Sequence, residues 1–318
     1  MAHAVDPKEW RIGLVGYGEV GRILAEDLHQ LGVATLVAHD LKLATADAPA
    51  LRSHAAEHGV ELRDSHRALA HDCDLIVSAV TASQAVAVAQ ACAPAVKPGA
   101  WFLDLNSASP HAKKSAAALI DGAGGVYVEA AVMTSVPPQR IRVPMLIGGA
   151  RATELLPKLA LLGFDAKVVS RELGVASATK MCRSVMIKGL EACAIESFTT
   201  ARAYGVEDQV LASLQETFPG IDWEQQGTYF FQRAIQHGRR RAEEMREVAA
   251  TVRDIGLQPW SAAGTAQRQA WVADQADAGL FGAKDACTPG KIGDWRAQAD
   301  RILNKFKPRP DTNSHSIE

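Results

Sequence analysis

Residues 11–21 read RIGLVGYGEVG, an apolar run that leads directly into a Gly-x-Gly-x-x-Gly motif. The run predicts a buried strand that ends near Gly18, and the residues from Glu19 onward predict a helix. In that setting Gly16 permits a tight turn, Gly18 lets the backbone approach a pyrophosphate, and Gly21 allows close packing of helix on strand. Because a helix N-terminus also offers N–H groups to phosphates, the motif predicts a dinucleotide site made by Gly16, Tyr17, Gly18, Glu19, Val20 and Gly21.

An acidic residue follows the glycines at the distance that a nucleotide ribose requires. A second apolar run, residues 34–40, ends in Asp40, about 20 residues past the motif. A carboxylate at this point can bind both ribose hydroxyls of NAD and would repel the 2′-phosphate of NADP. Lys42 stands two positions further on and would soften that discrimination. We therefore expect NAD as the cofactor, with NADP as the alternative.

Short apolar runs alternate with alanine-rich helical stretches through the first half of the chain. Beyond the two runs above, further ones cover residues 74–80, 100–106, 126–132 and 143–149. Such alternation is typical of a parallel sheet covered by helices on both faces, the doubly wound Rossmann architecture. Ligands of these sheets bind at the carboxyl ends of the strands. The residues expected there to contact the cofactor are Ser78, Ala79, Val80, Thr81 and Asn106, with Asn106 also a candidate for the substrate.

The second half of the chain has a different pattern of apolar residues. No strand is predicted after Val169, and the sequence favours helices over 174–204, 208–217, 222–237, 239–255 and 262–276. We expect three parts: an α/β dinucleotide-binding Rossmann domain over 1–170, an all-α domain for substrate binding and dimerisation over 171–304, and a mobile, proline-containing tail over 305–318.

Composition excludes several classes of protein. The 318-residue chain has a net charge of −2 and no long basic block, so we expect no nucleic-acid partner. No uncharged apolar stretch reaches about 18 residues, so we expect no membrane span. The five cysteines are scattered without a Cys-x-x-Cys pair, which favours reduced thiols and a cytoplasmic location.

Two histidines stand at a spacing that can bind a metal. His54 and His58 are four residues apart on a predicted helix. No carboxylate pattern in the sequence completes such a site. We therefore expect surface histidines and no metal.

Three stretches together resemble the 3-hydroxyacid dehydrogenases. They are GLVGYGEVG at 13–21, LDLNSASP at 103–110 and GVASATKMCRS at 174–184. That family includes hydroxyisobutyrate dehydrogenase, tartronate semialdehyde reductase and phosphogluconate dehydrogenase, and the resemblance covers roughly residues 10–300. The stretches KMCRSVMIKGLEA and RRRAEEMREVAATVRDIGL are similar to a phosphogluconate dehydrogenase-like branch with its own C-terminal helical domain. The resemblance implies a dimer or larger homo-oligomer with the active site in a cleft.

The resemblance also implies roles for particular residues. Lys180 matches the family's catalytic lysine, which binds the substrate hydroxyl and moves its proton as hydride leaves the same carbon. Desolvation on an apolar helix would favour the neutral amine that a general base requires. The alternative is a lysine that extends its charged end into water. Ser107 matches a hydroxyl position of the family's substrate motif.

Three departures from the family concern the substrate. The family's Ser-Gly-Gly loop is replaced by Met133, Thr134 and Ser135, and an asparagine near the lysine is replaced by Ser184, next to Arg183. The lysine that the family places on a later helix corresponds to Glu243 here. Arg240 or Arg241, close by, would then bind the substrate carboxylate with two hydrogen bonds; the alternative is that residues 239–241 are a solvated helix start. The expected substrate contacts are therefore Ser107, Met133, Thr134, Ser135, Arg183, Ser184 and Arg241. Isoleucine at position 187 argues against oxidative decarboxylation of phosphogluconate.

These observations predict an NAD(P)-dependent oxidoreductase acting on a small, acidic molecule. It would transfer hydride between the nicotinamide and a hydroxy acid, or the matching oxo acid or semialdehyde. One alternative is an imine reductase-like enzyme, although such enzymes usually place a different proton donor at the lysine position. The other is a non-catalytic dinucleotide-binding sensor.

Overall fold

The structure is a computed structural model that describes residues 6–282 and 294–306. The described residues of Met1–Arg183 and Ala250–Gln258 form one compact unit, and those of Ser184–Ala249 and Pro259–Glu318 form a second. The predicted division near residue 171 separates strand-bearing from helical sequence, whereas the units change over at residue 184, inside a helix. Of the predicted tail, Lys305 and Phe306 end a helix, and residues 307–318 lie outside the described residues, as does Cys287.

Within the described residues, eight strands form a single sheet in the first unit, in the order β3-β2-β1-β4-β5-β6-β7-β8. Their bounds are β1 Arg11–Val15, β2 Thr35–His39, β3 Val60–Leu62, β4 Leu75–Ser78, β5 Trp101–Asp104, β6 Val126–Val132, β7 Met145–Gly148 and β8 Ala166–Ser170. The order 3-2-1-4-5 is that of the Rossmann fold. The predicted α/β class is therefore confirmed.

The prediction of a parallel sheet is wrong at one pair of strands. Strands β6 and β7 are antiparallel, whereas all the other neighbouring pairs in this sheet are parallel. The connection over residues 133–144 holds only the four-residue helix α6 (Val136–Gln139) and a short 3₁₀ turn. Parallel neighbours need a full crossover, usually a longer helix, so the chain instead returns in the opposite direction. Strands β3 and β8 were not predicted.

Helices cover both faces of this sheet. They are α1 Glu19–Gln30, α2 Ala48–Glu57, α3 His66–Ala70, α4 Ala85–Cys92, α5 Pro110–Gly122, α6 and α7 Ala152–Leu161. Neighbouring residues of one strand point to opposite faces. Leu14 therefore packs with Leu24 of α1, while Val15 packs in a separate cluster with Ala89 of α4 and Ala116 of α5. Both faces being buried explains why the strands read as continuous apolar runs.

The part of the chain that the structure describes after the sheet is helical. The remaining helices are α8 Val175–Tyr204, α9 Glu207–Thr217, α10 Trp223–Asp254, α11 Trp260–Asp277 and α12 Trp295–Phe306. No strand follows Ser170 in the described residues, which confirms the predicted all-α region. None of the helices described in the chain has the length and apolar character that crossing a bilayer requires.

The sequence predicted two helices, 222–237 and 239–255, separated at Gly238, and this separation is wrong. Helix α10 continues through this residue, which is buried. A Cβ on Gly238 would lie 2.7 Å from the carbonyl oxygen of Gln269 and 3.2 Å from the Cβ of Ala273. The glycine therefore allows α10 to pack closely on α11 and does not end a helix. Helix α12, which was not predicted, places the fully buried Trp295 in the core of the second unit with Phe198 and Phe231.

A buried ion pair fixes the backbone just beyond β5. Lys113 of α5 is 1% exposed and places its Nζ 2.9 Å from Oδ1 of the fully buried Asp104, the last residue of β5. The same ammonium donates to the Asp104 carbonyl oxygen at 2.8 Å, and Tyr127 of β6 donates its hydroxyl to Oδ2 at 2.6 Å. Burial, followed by the nearby Asp104 carboxylate, raises the pKa of Tyr127 well above its usual value. The backbone N–H of Asn106 donates to Asp104 Oδ1 at 2.8 Å, so this pair anchors the residues that follow.

A second buried carboxylate fixes the start of α8. Glu129 of β6 is fully buried and accepts hydrogen bonds from the N–H groups of Gly174 (2.7 Å) and Ala176 (3.1 Å), and from both the N–H (3.3 Å) and the hydroxyl (2.7 Å) of Ser177. A negative charge at a helix N-terminus is stabilised by the helix dipole and by N–H groups that lack a partner within the helix. Across the β6–β7 pair, a Cβ on Gly148 would lie 2.8 Å from Glu129 Oε1. Glycine there makes room for the glutamate.

We predict that Lys113→Met destabilises the first unit strongly. Methionine is similar in length but leaves the Asp104 carboxylate buried without its cation, a change that costs about 3–5 kcal/mol in free energy of unfolding. Urea denaturation followed by circular dichroism measures the loss. The neighbouring Lys114→Met is the control, because Lys114 is exposed and its loss costs less than about 0.5 kcal/mol. Equal effects of the two variants would contradict the role of the buried pair.

We predict that Glu129→Gln loosens the start of α8. The amide retains one acceptor oxygen but turns an NH₂ group towards donors, which costs about 1–3 kcal/mol in free energy of unfolding. Hydrogen exchange at the amides of residues 174, 176 and 177 should accelerate together with this loss. Glu172→Gln, at an exposed position just before the helix, is the matched control. Unchanged exchange in Glu129→Gln would show that the carboxylate does not hold the helix start.

Candidate functional site

The carboxyl ends of four neighbouring strands lie side by side at one edge of the sheet. The N–H of Gly16, after β1, donates to the carbonyl oxygen of His39 in β2 at 2.9 Å. The N–H of Ala79, after β4, donates to Val15 at 2.8 Å, and that of Leu105, after β5, donates to Ser78 at 2.9 Å. The loops that the sequence singled out therefore start at the same edge, where ligands of such sheets bind.

The three glycines of the motif have different geometries. Gly16 has a φ of +89°, and a Cβ there would lie 2.4 Å from the carbonyl oxygen of Ala79. A Cβ on Gly21 would lie 2.0 Å from the carbonyl oxygen of Gly16, so helix and turn are in close contact. Gly18, the N-cap of α1, has no atom within 4 Å of a Cβ position. The loop is thus tight at both ends and open in the middle, where exposed Glu19 and half-buried Val20 begin the helix.

Asp40 is tied to the glycine loop. Its Oδ2 accepts from the backbone N–H of Tyr17 at 2.7 Å, and its Oδ1 accepts from the N–H of Lys42 at 2.8 Å. The ammonium of Lys42 lies 3.5 Å from Asp47, so it has a different carboxylate as its ion-pair partner. The acidic residue that was predicted from spacing is therefore held against the backbone of the Gly-x-Gly turn.

Tyr17 is part of the glycine loop through its main-chain atoms, while its side chain points into the protein. The side chain is fully buried, and its hydroxyl lies 2.9 Å from Nδ1 of His54 in α2. Burial is the main cause that raises the pKa of Tyr17 to about 12. A cofactor contact by this residue, as predicted from the motif, would therefore be made through main-chain atoms.

Asn106 joins the loops after β4 and β5. It is 3% exposed; its Oδ1 accepts from the N–H of Val80 at 2.7 Å, and its Nδ2 donates to Ser78 Oγ at 2.9 Å. Both Asn106 and Ser78, which were predicted as cofactor contacts, thus have protein partners. Their bonds hold half-buried Ala79 and Val80 and exposed Thr81 at the strand ends. Sequence spacing alone gave no sign of this link across 26 residues.

Lys180 and Ser107 are in direct contact. Lys180, in the second turn of α8, donates from Nζ to Ser107 Oγ at 2.5 Å, although the two residues are 73 positions apart. Both side chains are half-buried. Ser107 follows Asp104 by three residues, and Lys180 follows Ser177, a donor to Glu129, by three residues. An amine beside a hydroxyl can hold a ligand oxygen and exchange a proton with it.

The other predicted substrate residues of the first unit are at or near the surface. Met133 is half-buried and donates its backbone N–H to Pro144 at 3.0 Å, while Thr134 is exposed. Ser135 is half-buried at the N-cap of α6. Arg183 is exposed and lies three residues beyond Lys180, which puts both on one side of α8.

The second unit contains a buried polar cluster. Lys188 donates to Ser184 Oγ at 3.2 Å and lies 2.8 Å from Glu244 Oε2. Arg241 forms a bidentate pair with Glu191, one bond being 2.9 Å, and Gln269 donates to Glu191 at 3.1 Å. Ser184 and Arg241, both predicted substrate contacts, are thus engaged inside this unit. Sequence reasoning missed the others, although Ser184, Lys188 and Glu191 share one helix face through spacings of four and three.

A histidine on α10 is held in its neutral form. Burial, followed by the charges of Arg233, Arg240 and Arg241, lowers the pKa of His237 to about 4. The imidazole therefore carries no charge near neutral pH, so the surrounding arginines meet no additional cation.

Comparisons with known proteins agree with this organisation. Residues 11–155 match the family described as the NAD binding domain of 6-phosphogluconate dehydrogenase, and residues 201–272 match a domain of unknown function, DUF1932. A conserved hypothetical protein from Sinorhizobium meliloti has a solved structure with 36% identity and a TM-score of 0.71, covering 93% of this chain and 97% of that one.

Two further proteins extend the comparison. An uncharacterized 28.5 kDa protein of Methanothermus fervidus is 28% identical over 78% of this chain and 93% of its own. A 3-hydroxyisobutyrate dehydrogenase of Mycobacterium tuberculosis, solved with L-serine, shares the fold at 17% identity and a TM-score of 0.64, over 92% of this chain and 99% of that one. The chain therefore belongs to the family that joins an NAD(P)-binding domain of the 6-phosphogluconate dehydrogenase type to a DUF1932 domain, with the fold of the 3-hydroxyisobutyrate dehydrogenases.

Proposed function

We propose that this protein is an NAD(P)-dependent dehydrogenase or reductase of small hydroxy acids. Hydride would pass between the nicotinamide and the alcohol carbon of the acid, or the matching oxo acid or semialdehyde in the reverse direction. The observation that carries the proposal is the 2.5 Å hydrogen bond from Lys180 to Ser107 beyond β5. In the sheet, β5 is separated from the glycine-bearing β1 only by β4.

The proposed chemistry needs one proton acceptor and one hydride acceptor. When bound, the nicotinamide supplies the hydride acceptor. In the oxidative direction, the neutral amine of Lys180 takes the hydroxyl proton as the alcohol carbon loses its hydride, and the C–O single bond becomes a carbonyl. In the reductive direction, the carbonyl carbon regains a hydride and the ammonium returns that proton to the oxygen. Ser107 would donate to or accept from the same oxygen and so hold the reacting carbon in place.

The acid group of the substrate needs a cation. Arg183 suits this role because it is exposed and shares a helix side with Lys180. Thr134 and Ser135 would add hydroxyl donors, beside Met133, where the related enzymes have glycines. Ser184 and Arg241 stay predicted substrate contacts. Glu191 engages Nε and Nη2 of Arg241, so a contact by that arginine would use Nη1 or the second hydrogen of Nη2.

The domain roles belong to the same proposal. The segment 1–170 would bind the cofactor, and 171–304 would bind substrate and form a homodimer or larger assembly. A cytoplasmic location without nucleic-acid partners completes it. These statements rest on composition and on the family.

We predict that Lys180→Ala strongly reduces turnover without loss of cofactor binding. The assay follows reduction of NAD⁺ and NADP⁺ by near-UV absorbance over a panel of hydroxy acids, including 3-hydroxyisobutyrate and L-serine. With the substrate that is turned over, kcat should fall by at least about a hundredfold, since the proton acceptor is lost. Lys167→Ala, at an exposed position on β8, should retain full activity.

Three results would count against this assignment. Turnover that survives in Lys180→Ala would remove the lysine from the chemistry. Loss of NADH binding in that variant would contradict the predicted loss of the proton acceptor alone and would give Lys180 a structural role. Tight NADH binding without turnover on any acid in either direction would favour the non-catalytic dinucleotide-binding alternative.

We predict that Asp40 makes the protein prefer NADH over NADPH. Asp40→Asn keeps an acceptor oxygen for the Tyr17 N–H but removes the charge that repels a 2′-phosphate, so the ratio of the two Kd values should shift towards NADPH by about tenfold. Fluorescence titration with each reduced cofactor measures the ratio. Asp47→Asn, which changes a neighbouring exposed carboxylate, should leave it unaltered. An unchanged ratio in Asp40→Asn would mean that another group sets the preference.

A further inference from the structure

A cluster of two imidazoles and a carboxylate joins helices α1 and α2, away from Lys180 and Ser107. Glu26 of α1 and His54 and His58 at the end of α2 each offer one ligand atom, and these atoms all lie within 4.8 Å of one another. His54 Nε2 lies 2.9 Å from Glu26 Oε1, and the two histidine rings have centroids 4.5 Å apart. All three side chains are half-buried.

The spacing suits a transition metal ion. Zinc binds imidazole nitrogen and carboxylate oxygen at about 2.0–2.2 Å, so two ligand atoms of a tetrahedral site are separated by about 3.3–3.5 Å. The separation of 2.9 Å between Glu26 Oε1 and His54 Nε2 is shorter than this value, and no two of the three ligand atoms are more than 4.8 Å apart, so side-chain rotations would have to bring the three atoms around one ion. Two imidazoles with one carboxylate are ligands typical of zinc-like ions, whereas calcium and magnesium prefer oxygen ligands alone.

Outer contacts hold two of the three groups. His54 turns Nε2 to the cluster, and its Nδ1 lies 2.9 Å from the Tyr17 hydroxyl. Glu26 turns Oε1 to the cluster, and its Oε2 accepts from Arg140 at 2.6 Å. Metal-binding histidines and carboxylates are typically fixed in this way, because the second polar atom of each group has its own partner.

The positions of the residues explain why sequence spacing did not predict a site. The two histidines are four residues apart and project from one side of α2, but the carboxylate comes from α1, 28 residues before His54. The parallel β1–β2 pair brings α1 and α2 close enough for His54 Nε2 to lie 2.9 Å from Glu26 Oε1. Only the fold therefore completes the set of ligands.

We propose that Glu26, His54 and His58 form a binding site for a divalent transition metal ion of the zinc type. The ion would have three protein ligands and an open position for water. It would link α1 to α2 directly behind the Tyr17 side chain of the glycine loop.

Titration calorimetry of the full-length protein with Zn²⁺ alone tests this site. Wild type should show one ion per chain whose Kd rises by at least about tenfold in His58→Ala and in Glu26→Gln, since each removes one ligand. His71→Ala is the matched control, because His71 pairs with Asp72 at an exposed position outside the cluster. Zinc that binds exposed Cys182 or Cys193 would be common to all variants and would not produce this difference.

The result that overturns the site is zinc binding by His58→Ala as tight as in wild type, or an equal loss in His71→Ala. X-ray absorption at the zinc edge gives a second test that does not depend on a variant folding. It should show two imidazoles and one carboxylate around the ion. A sulfur-dominated shell would place the zinc on cysteine thiols and would rule out the proposed site.

Discussion

The buried carboxylate of Glu129 determines where helix α8 begins, and the start of the helix in turn determines the position of Lys180. A charge removed from water is tolerated only when hydrogen bonds replace its solvation. Here three backbone N–H groups and a hydroxyl do so. The N-terminus of a helix has N–H groups without a partner inside the helix. The carboxylate therefore accepts hydrogen bonds from these groups, and they replace the water that it has lost. Lys180 lies only one turn beyond Ser177, and its side chain direction is fixed by that register.

The other half of the Lys180–Ser107 contact depends on a second buried charge. Asp104 receives the Lys113 ammonium, the Tyr127 hydroxyl and the Asn106 N–H. The backbone turns at the end of β5 under this constraint, and Ser107 is the next residue after the anchored asparagine. Lys180 Nζ and Ser107 Oγ, which are far apart in sequence, thus lie 2.5 Å from each other. The two buried hydrogen-bond networks around Glu129 and Asp104 position them. Such support, from groups that lie behind the contact, is what keeps a reactive geometry in place.

The sequence predicted those features of the fold that depend on local residue patterns. The glycine turn, the apolar strands and the helical second half follow from spacing and periodicity within a few residues. What it could not predict depends on contacts between distant segments. Lys113 and Glu26 are such cases, because nothing near them in the chain distinguishes them from surface charges. Glu129 stands inside an apolar run, but its partners at residues 174–177 cannot be predicted from that run. The same limit applies to Gly238, which looks like a helix end until its neighbour on α11 is known. It also applies to Asn106, whose amide is engaged by Ser78 and Val80.

Gly148 illustrates how such a contact would be recorded in evolution. Its φ is outside the left-handed region, so its backbone does not demand glycine; only the space beside Glu129 does. Aspartate at position 129 would be one methylene shorter than Glu129 and would leave room for a side chain at the opposing position. Positions 129 and 148 should therefore vary together across relatives, glutamate with glycine and aspartate with a small side chain. Within a branch that has glutamate at position 129, an invariant glycine at position 148 would then be explained by the length of that acidic side chain on the neighbouring strand. Its conservation would not indicate a turn or a ligand.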